Sequence, residues 1–243
     1  MGSGEQHRVG MTCSSDHPTF GAVGDVLAER GYAVTYLDAE RPIDRGTLAG
    51  LSGFVTKHTR PASVRALVAA ERLGVPTWNS ATGVLACVSR LSQLCVLSGV
   101  GFPVPSASRS RPAEPYVAKG LYHWEPGATV NGEGAVYEEL LDVDPVDYKY
   151  YVVDDGRTRR TVVLRAASKL RGEKRVLGEA EPVAAHVARI EALMDRLGMR
   201  GVGVDLVRTD DGWYAVDLNP CPGFEGTGLE GALADSVESC LDG

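Results

Sequence analysis

The chain has 243 residues, with 25 Lys and Arg against 32 Asp and Glu and a formal net charge of −7. Polyanion binders normally present a basic surface, so nucleic acid is not expected as the main partner. Hydrophobic residues at 44% and charged residues at 23% are those of an ordinary globular chain, and no apolar run reaches the ~18 residues of a spanning helix, so no membrane partner is expected. Cys13, Cys87, Cys95, Cys221 and Cys240 are scattered, with no C-x-x-C pair. That usage fits the reducing cytoplasm better than a disulfide framework or a cysteine zinc site. Met1 to Gly10 is polar without a hydrophobic signal core, and Gly2-Ser3-Gly4 reads as a loose tail.

In chain order, strand and helix signals alternate over the first hundred residues. Arg8 to Cys13 reads as a strand, Phe20 to Arg30 as a helix closed by Gly31, and Tyr32 to Leu37 and Gly53 to Thr56 as strands. Pro61 opens a helix through Leu73 that Gly74 ends, and Val75 to Trp78 is a short strand. Such alternation with short links predicts a parallel sheet covered by helices. Asn79 and Ser80 are capping types before a long apolar segment, Val84 to Leu97. Residues 106–115 lack periodicity and read as a linker, so the first lobe spans 1–105. Beyond it, Pro115 to Leu121, Ala135 to Leu140, Tyr148 to Val153 and Thr161 to Arg165 read as strands, with a hairpin turn at Asp154-Asp155-Gly156. Pro182 to Leu197 and Leu229 to Leu241 read as helices. Between them, Val202 to Arg208 and Trp213 to Leu218 form a strand pair. The fold class is α/β with α+β character.

That last pair carries the chemistry. With the Asp210-Asp211-Gly212 turn centred on Asp211, Asp205 and Asp217 face each other across two antiparallel strands. Asn219, two residues beyond Asp217, shares their face. Two carboxylates and an amide oxygen are hard ligands suited to Mg²⁺. Like charges directly opposite destabilise a strand pair unless a cation intervenes. A solvated acidic hairpin face is the other reading, but Val202, Val204, Leu206, Tyr214, Val216 and Leu218 make both strands apolar.

Gly203-Val204-Asp205, Asp217-Leu218-Asn219 and Pro222-Gly223-Phe224 together resemble the metal-binding signature of the ATP-grasp superfamily, with Asp217 where glutamate is commoner. Other segments follow in the family's order. Residues 74–105 resemble the lead-in to the ATP-grasp domain, with Ser89-Arg90 where Asp-Lys is usual. Lys119 in Tyr116-Val117-Ala118-Lys119 resembles the strand lysine on the α- and β-phosphates. Glu138-Glu139-Leu140-Leu141 resembles the adenine-reading hinge. Asp147-Tyr148-Lys149 resembles a further phosphate-facing strand. The resemblance implies an ATP-grasp fold: an N-terminal parallel lobe (1–105), a small lobe (106–137) and a C-terminal lobe with the metal site (138–243), the last two clamping ATP.

It also implies an ATP- and Mg²⁺-dependent ligase, with Mn²⁺ as an alternative ion, that joins a carboxylate to an amine through an acyl phosphate and releases ADP. In that scheme Arg90, Lys119, Glu138, Glu139, Leu140, Leu141, Asp147 and Lys149 hold the nucleotide. Asp205, Asp217 and Asn219 hold the metal. Lys149 and Arg165 act on the acyl phosphate. The substrates are small molecules or a peptide, and a homodimer is the default assembly. Resemblance to inositol-phosphate kinases of the same superfamily supports a small-molecule kinase instead, with Lys169, Arg171, Lys174 and Arg175 as its second cationic cluster. A non-catalytic nucleotide-binding module is the third reading. Only Gly127, Gly132 and Gly134 stand where a long glycine-rich flap over the phosphates is usual, so the flap is expected to be short. His17 and His58 are candidates for contact with the second substrate.

Overall fold

The computed structural model describes residues 7–168, 170 and 175–241. Its first sheet is built from β1 (Arg8–Met11), β2 (Ala33–Tyr36), β3 (Gly53–Val55) and β4 (Thr77–Trp78). All are parallel, in the order β2-β1-β3-β4. Helices α1 (Pro18–Glu29), α2 (Arg45–Ala49) and α3 (Pro61–Arg72) make the crossovers. Helix α1 starts where His17 Nδ1 accepts from the Thr19 and Phe20 N–H groups, with proline at the first turn. Gly31 ends the segment at φ 93°, a left-handed conformation that costs a glycine nothing. The five residues of α2 are too few to show a periodicity, which is why the sequence does not announce it. Asp44 caps it by accepting from the Thr47 N–H at 2.9 Å.

The apolar segment from Val84 to Leu97 is two helices, α4 (Ala81–Cys87) and α5 (Arg90–Gly99). Long-range hydrogen bonds break it at Val88-Ser89. The Arg90 N–H donates to Leu121 O at 2.8 Å, the His123 N–H donates to Val88 O at 3.2 Å, and Ser89 bridges Tyr122. Ser80 caps α4 by accepting from the Gly83 N–H. Asn79 does something the sequence does not reveal. Held at φ 63° and fully buried, its amide accepts from the Arg200 and Gly201 N–H groups and donates to the Gly201 and Pro220 carbonyls. It ties the end of the parallel sheet to both flanks of the acidic strand pair. Alanine at Asn79 strips these buried backbone groups of partners. A stability loss of roughly 3 kcal/mol is expected from the shift of the urea midpoint; a loss below about 1 kcal/mol would show that the clamp is dispensable.

The second sheet has the order β5-β8-β6-β7, from β5 (Ala107–Ser108), β6 (Tyr116–Lys119), β7 (Thr129–Val130) and β8 (Val136–Glu139), all antiparallel. Part of the expected linker is therefore an edge strand, and the small sheet runs through Glu139, two residues past 137. Two-residue strands carry no alternation to read.

The third sheet is antiparallel, in the order β11-β10-β9-β12-β13. Its strands are β9 (Val146–Asp154), β10 (Arg159–Ala167), β11 (Val176–Ala180), β12 (Gly201–Thr209) and β13 (Gly212–Asn219). The β9–β10 hairpin closes with Asp154 opposite Arg159, so its loop has four residues, 155–158. Asp155 organises it by accepting from the Arg157 and Thr158 N–H groups. On one sheet face Tyr150, Val152, Val163, Val202 and Val204 pack against Ile190, Leu193 and Met194 of α6 (Ala184–Leu197). On the other, Val153 joins a core with Phe20, Trp78, Phe224, Leu233 and Val237. Helix α7 (Glu230–Leu241) thus packs back on the N-terminal sheet, and Trp78 Nε1 donates to Ser236 Oγ at 2.9 Å. The C-terminal segment and the first lobe share a core, which fixes the parallel sheet against the acidic strands. Among the described residues no helix is long and apolar enough to cross a membrane.

Candidate active site

Asp205 on β12 does stand opposite Asp217 on β13, but not because the turn is centred on Asp211. The ladder runs Thr209–Gly212, Arg208–Trp213, Val207–Tyr214 and Leu206–Ala215, so the turn has two residues and Asp205 would meet Val216. A bulge at Val216 advances the register by one and brings Asp217 into line. The bulged residue's carbonyl then accepts from Lys119 Nζ at 2.9 Å.

On the other side of β12, Asp205 pairs with Lys149 of β9. Lys149, Asp205 and Asp217 therefore form a row across three strands on one face, with Tyr151, Gly203 and Asn219 as the row beside it. Lys149 Nζ is ion-paired with Asp205, and Arg90 from the first turn of α5 is ion-paired with Asp217. These cations offset the repulsion of facing carboxylates. Burial pushes Asp217 up, but Arg90, then His123, Lys119 and Lys149 outweigh it and hold its carboxyl at about 2. Burial raises the Asp205 carboxyl, offset in part by Lys149.

A third cation completes the group. Lys119 and Glu138 lie diagonally on one face of β6 and β8, both buried, with Nζ and Oε2 2.7 Å apart. Arg90, Lys119, Lys149, Asp147, Asp205 and Asp217 line a cavity of about 280 Å³. Glu138, Glu139, Leu140 and Leu141 form a wall of it, with Pro105, Val117, Val143, Val207 and Val216 as apolar lining. Among the described residues Arg90 Nε, Glu138 Oε1 and His123 Nε2 are buried without a hydrogen-bond partner. Buried polar atoms are normally satisfied, so the two orphans that line the cavity, on Arg90 and Glu138, point to a polar ligand.

The acids form a pair. Among the described residues no three of His, Cys, Asp and Glu gather as a metal cluster. Asn219 Oδ1 accepts from the Cys221 N–H at 2.9 Å and does not line the cavity, yet a carbonyl oxygen keeps a second lone pair. Two carboxylates and an amide oxygen on one sheet face still make an all-oxygen donor set that fits Mg²⁺.

The sequence matches no family model and none of the curated proteins. The architecture has solved counterparts. The ATP-grasp ligase PsnB, complexed with minimal precursor, Mg and ADP, superposes with a TM-score of 0.69 at 17% identity, over 97% of this chain and 98% of that one. The macrocyclase MdnC from Microcystis aeruginosa MRC, bound with precursor peptide MdnA, gives 0.70 at 12% identity, over 96% and 99%. A RimK-domain ATP-grasp protein from Sphaerobacter thermophilus DSM 20745 gives 0.69 at 16% identity, over 97% and 98%. The fold is the ATP-grasp fold.

Within this fold, every expected nucleotide residue from Arg90 to Lys149 lines one cavity. Arg165 does not. It pairs with Tyr148, on the sheet face opposite Lys149, and is exposed. The expectation that it acts on an acyl phosphate is therefore withdrawn, because strand alternation turns it away from the acids. Of the three flap glycines, Gly127 reaches the cavity. Gly134 instead permits close backbone packing, since a Cβ there would stand 2.7 Å from Lys119 O. Of the proposed second cationic cluster, Lys169, Arg171 and Lys174 lie outside the described residues, as does Gly2-Ser3-Gly4.

Two contributors escaped the sequence reading. His123, in the loop after β6, is close enough to Asp217, Arg90 and Lys119 for all three to perturb it, and burial lowers its pKa. Gln93 of α5 accepts from the Leu218 N–H at 3.0 Å and steadies β13 beside Asp217. Lone polar residues in a loop and on a helix carry no pattern.

Proposed function

We propose that the chain is an ATP- and Mg²⁺-dependent ligase that joins a carboxylate to an amine or related nucleophile. The observation that carries this is the single cavity in which three cations, Arg90, Lys119 and Lys149, converge on the Asp205–Asp217 pair. ATP is the ligand whose charge fits: a polyanion for the cations, with a divalent ion between it and the carboxylates. Solved ATP-grasp counterparts with Mg and ADP support the choice.

In this reading Glu138 to Leu141 and the valines beside them hold the base. Arg90, Lys119 and Lys149 offset the triphosphate charge. Bound Mg²⁺, or Mn²⁺ in its place, would supply charge neutralisation at the phosphate oxygens, held by Asp205, Asp217 and Asn219. Without metal, Asp205 and Asp217 hold Lys149 and Arg90 at the cavity in ion pairs that the metal and the phosphates would replace. A substrate carboxylate attacks the γ-phosphorus as ADP leaves. The nucleophile then displaces phosphate from the acyl phosphate, so the products are an amide, ADP and phosphate. Lys149, on the row of the acids, is the residue placed to stabilise the transferring group. PsnB and MdnC are complexed with a precursor and a precursor peptide respectively, which supports a peptide as one substrate besides free small molecules.

Calorimetry with ATP tests the site. One nucleotide per chain is expected, bound much more tightly with Mg²⁺ than without. ADP release should then require both a carboxylate and a nucleophile. Absence of Mg²⁺-dependent nucleotide binding would end this reading. A stable phosphorylated product formed without any amine would replace it with a kinase.

A further inference from the structure

A second polar group, one lysine and two histidines, stands at the carboxyl edge of the parallel sheet, outside the nucleotide cavity. Lys57 follows β3 and is only 9% exposed. Its N–H donates to Thr12 Oγ1 at the end of β1. Its Nζ donates to the Cys221 carbonyl at 3.1 Å and lies 5.9 Å from the centre of the Phe20 ring. Among the described residues no carboxylate is ion-paired with it. One carbonyl and one aromatic face leave an ammonium with three donors short of a counterion, and a buried charge without one is expensive. The adjacent Thr56 Oγ1 is fully buried and also has no hydrogen-bond partner among the described residues.

His17 and His58 complete the group. Burial first, then the neighbouring Lys57 ammonium, lowers both imidazole pKa values. The acids nearby are already engaged or stand at the rim. Glu225 is half exposed and 3.7 Å from His17 Nε2, Asp16 takes the Ser14 hydroxyl, and Glu40 is held by Arg60. None supplies the charge that Lys57 lacks.

The group is coupled to the candidate metal strand. Cys221, whose carbonyl accepts from Lys57 Nζ, donates its own N–H to Asn219 Oδ1. Tyr151, beside Lys149 on the row of Asn219, packs its ring 5.6 Å from that of Phe224. Its hydroxyl pKa is raised by burial and then by Asp205, with Glu225 adding to it. Tyr151 therefore lies between the paired acids and the rim of the Lys57 group.

We propose that Lys57, with His17 and His58, is the subsite for an oxyanion, carboxylate or phosphate, carried by the non-nucleotide substrate. The proposal rests on the ligase reading and adds where that substrate is anchored. Its anion would complete the coordination of the buried ammonium and hold the molecule on the sheet face that bears Asp205.

Histidine ring signals, assigned by single substitution, would be followed while inorganic phosphate or acetate is added to the protein saturated with MgADP. The expected result is a saturable shift of the His17 and His58 signals. Phosphate acting alone would indicate a phosphorylated substrate, and acetate acting at least as well a carboxylate. Lys57→Met should weaken the response at least tenfold, Lys57→Arg should retain it, and MgADP affinity should not change in either. If neither anion moves the two signals saturably in the native protein, or if Lys57→Met responds like the native protein, the subsite is refuted. The native titration decides the matter even if Lys57→Met does not fold. Failure of MgADP to bind would strike the nucleotide reading separately, since the anion titration can be run without it.

Discussion

Alanine at Asp217 should change nucleotide affinity in opposite directions with and without metal. With Mg²⁺, ATP should bind at least tenfold more weakly, about 1.4 kcal/mol, and ADP release should fall by roughly 10²–10³. Without Mg²⁺, affinity should hold or rise. The reason lies in the ion pair. Asp217 holds Arg90 and carries a full negative charge, since its carboxyl sits at about 2. Removing it frees the guanidinium for phosphate and deletes a like charge facing the triphosphate, while the ion loses one of its two carboxylates. Asp217→Asn is the companion variant: it can still accept from Arg90 and should fold, yet show the same loss of metal dependence. Calorimetry at several Mg²⁺ concentrations reads both effects. An unchanged ratio of affinities with and without Mg²⁺ would remove Asp217 from the metal site.

Methionine at Lys119 should be the most damaging single change in the cavity, for two reasons that one further variant separates. Lys119 is the ion-pair partner of Glu138, which is 3% exposed and whose other oxygen already lacks a hydrogen bond. Breaking a buried pair by removing one partner typically costs about 3–5 kcal/mol, because it leaves a buried charge uncompensated. Burial already raises the Glu138 carboxyl pKa, so the variant should partly relieve the loss by taking up a proton there. Its stability deficit should therefore shrink as pH falls. Adding Glu138→Gln should restore most of the stability but not the affinity for ATP, since the cation is still missing. Denaturant midpoints and calorimetry on the single and double variants test this. Recovery of ATP binding in the double variant would show that Lys119 serves only to neutralise Glu138.

The features legible in the sequence were those with a local cause. Gly31, Pro61 and Gly74 punctuate α1 and α3 through their own backbone preferences, and the crossovers between parallel strands follow from strand–helix alternation. The acids were legible because Asp205, Asp217 and Asn219 sit in apolar strands around a short turn, where a charge is conspicuous. What put Asp205 opposite Asp217, however, was not the spacing. The turn is one residue tighter than the spacing supposes, and the bulge at Val216, which no residue type announces, restores the pair. Arg165 was misplaced because a positive residue on a strand looks the same from either face, and only the pairing with Tyr148 shows which face it takes.

Sequence alone thus determined the order of the longer elements and most of the residue types of the site. Each of these depends on neighbours a few positions away. The tertiary structure decided what depends on residues far apart. It broke the apolar segment at Val88-Ser89 by pairing it with the loop at Leu121 to His123. It turned Asn79 from an apparent cap into a clamp on Gly201 and Pro220. It gave each cavity cation a carboxylate and, among the described residues, left Lys57 without one. A buried charge is stable only beside its partner, and it is the packing of the sheets, not nearness along the chain, that selects which partner it meets.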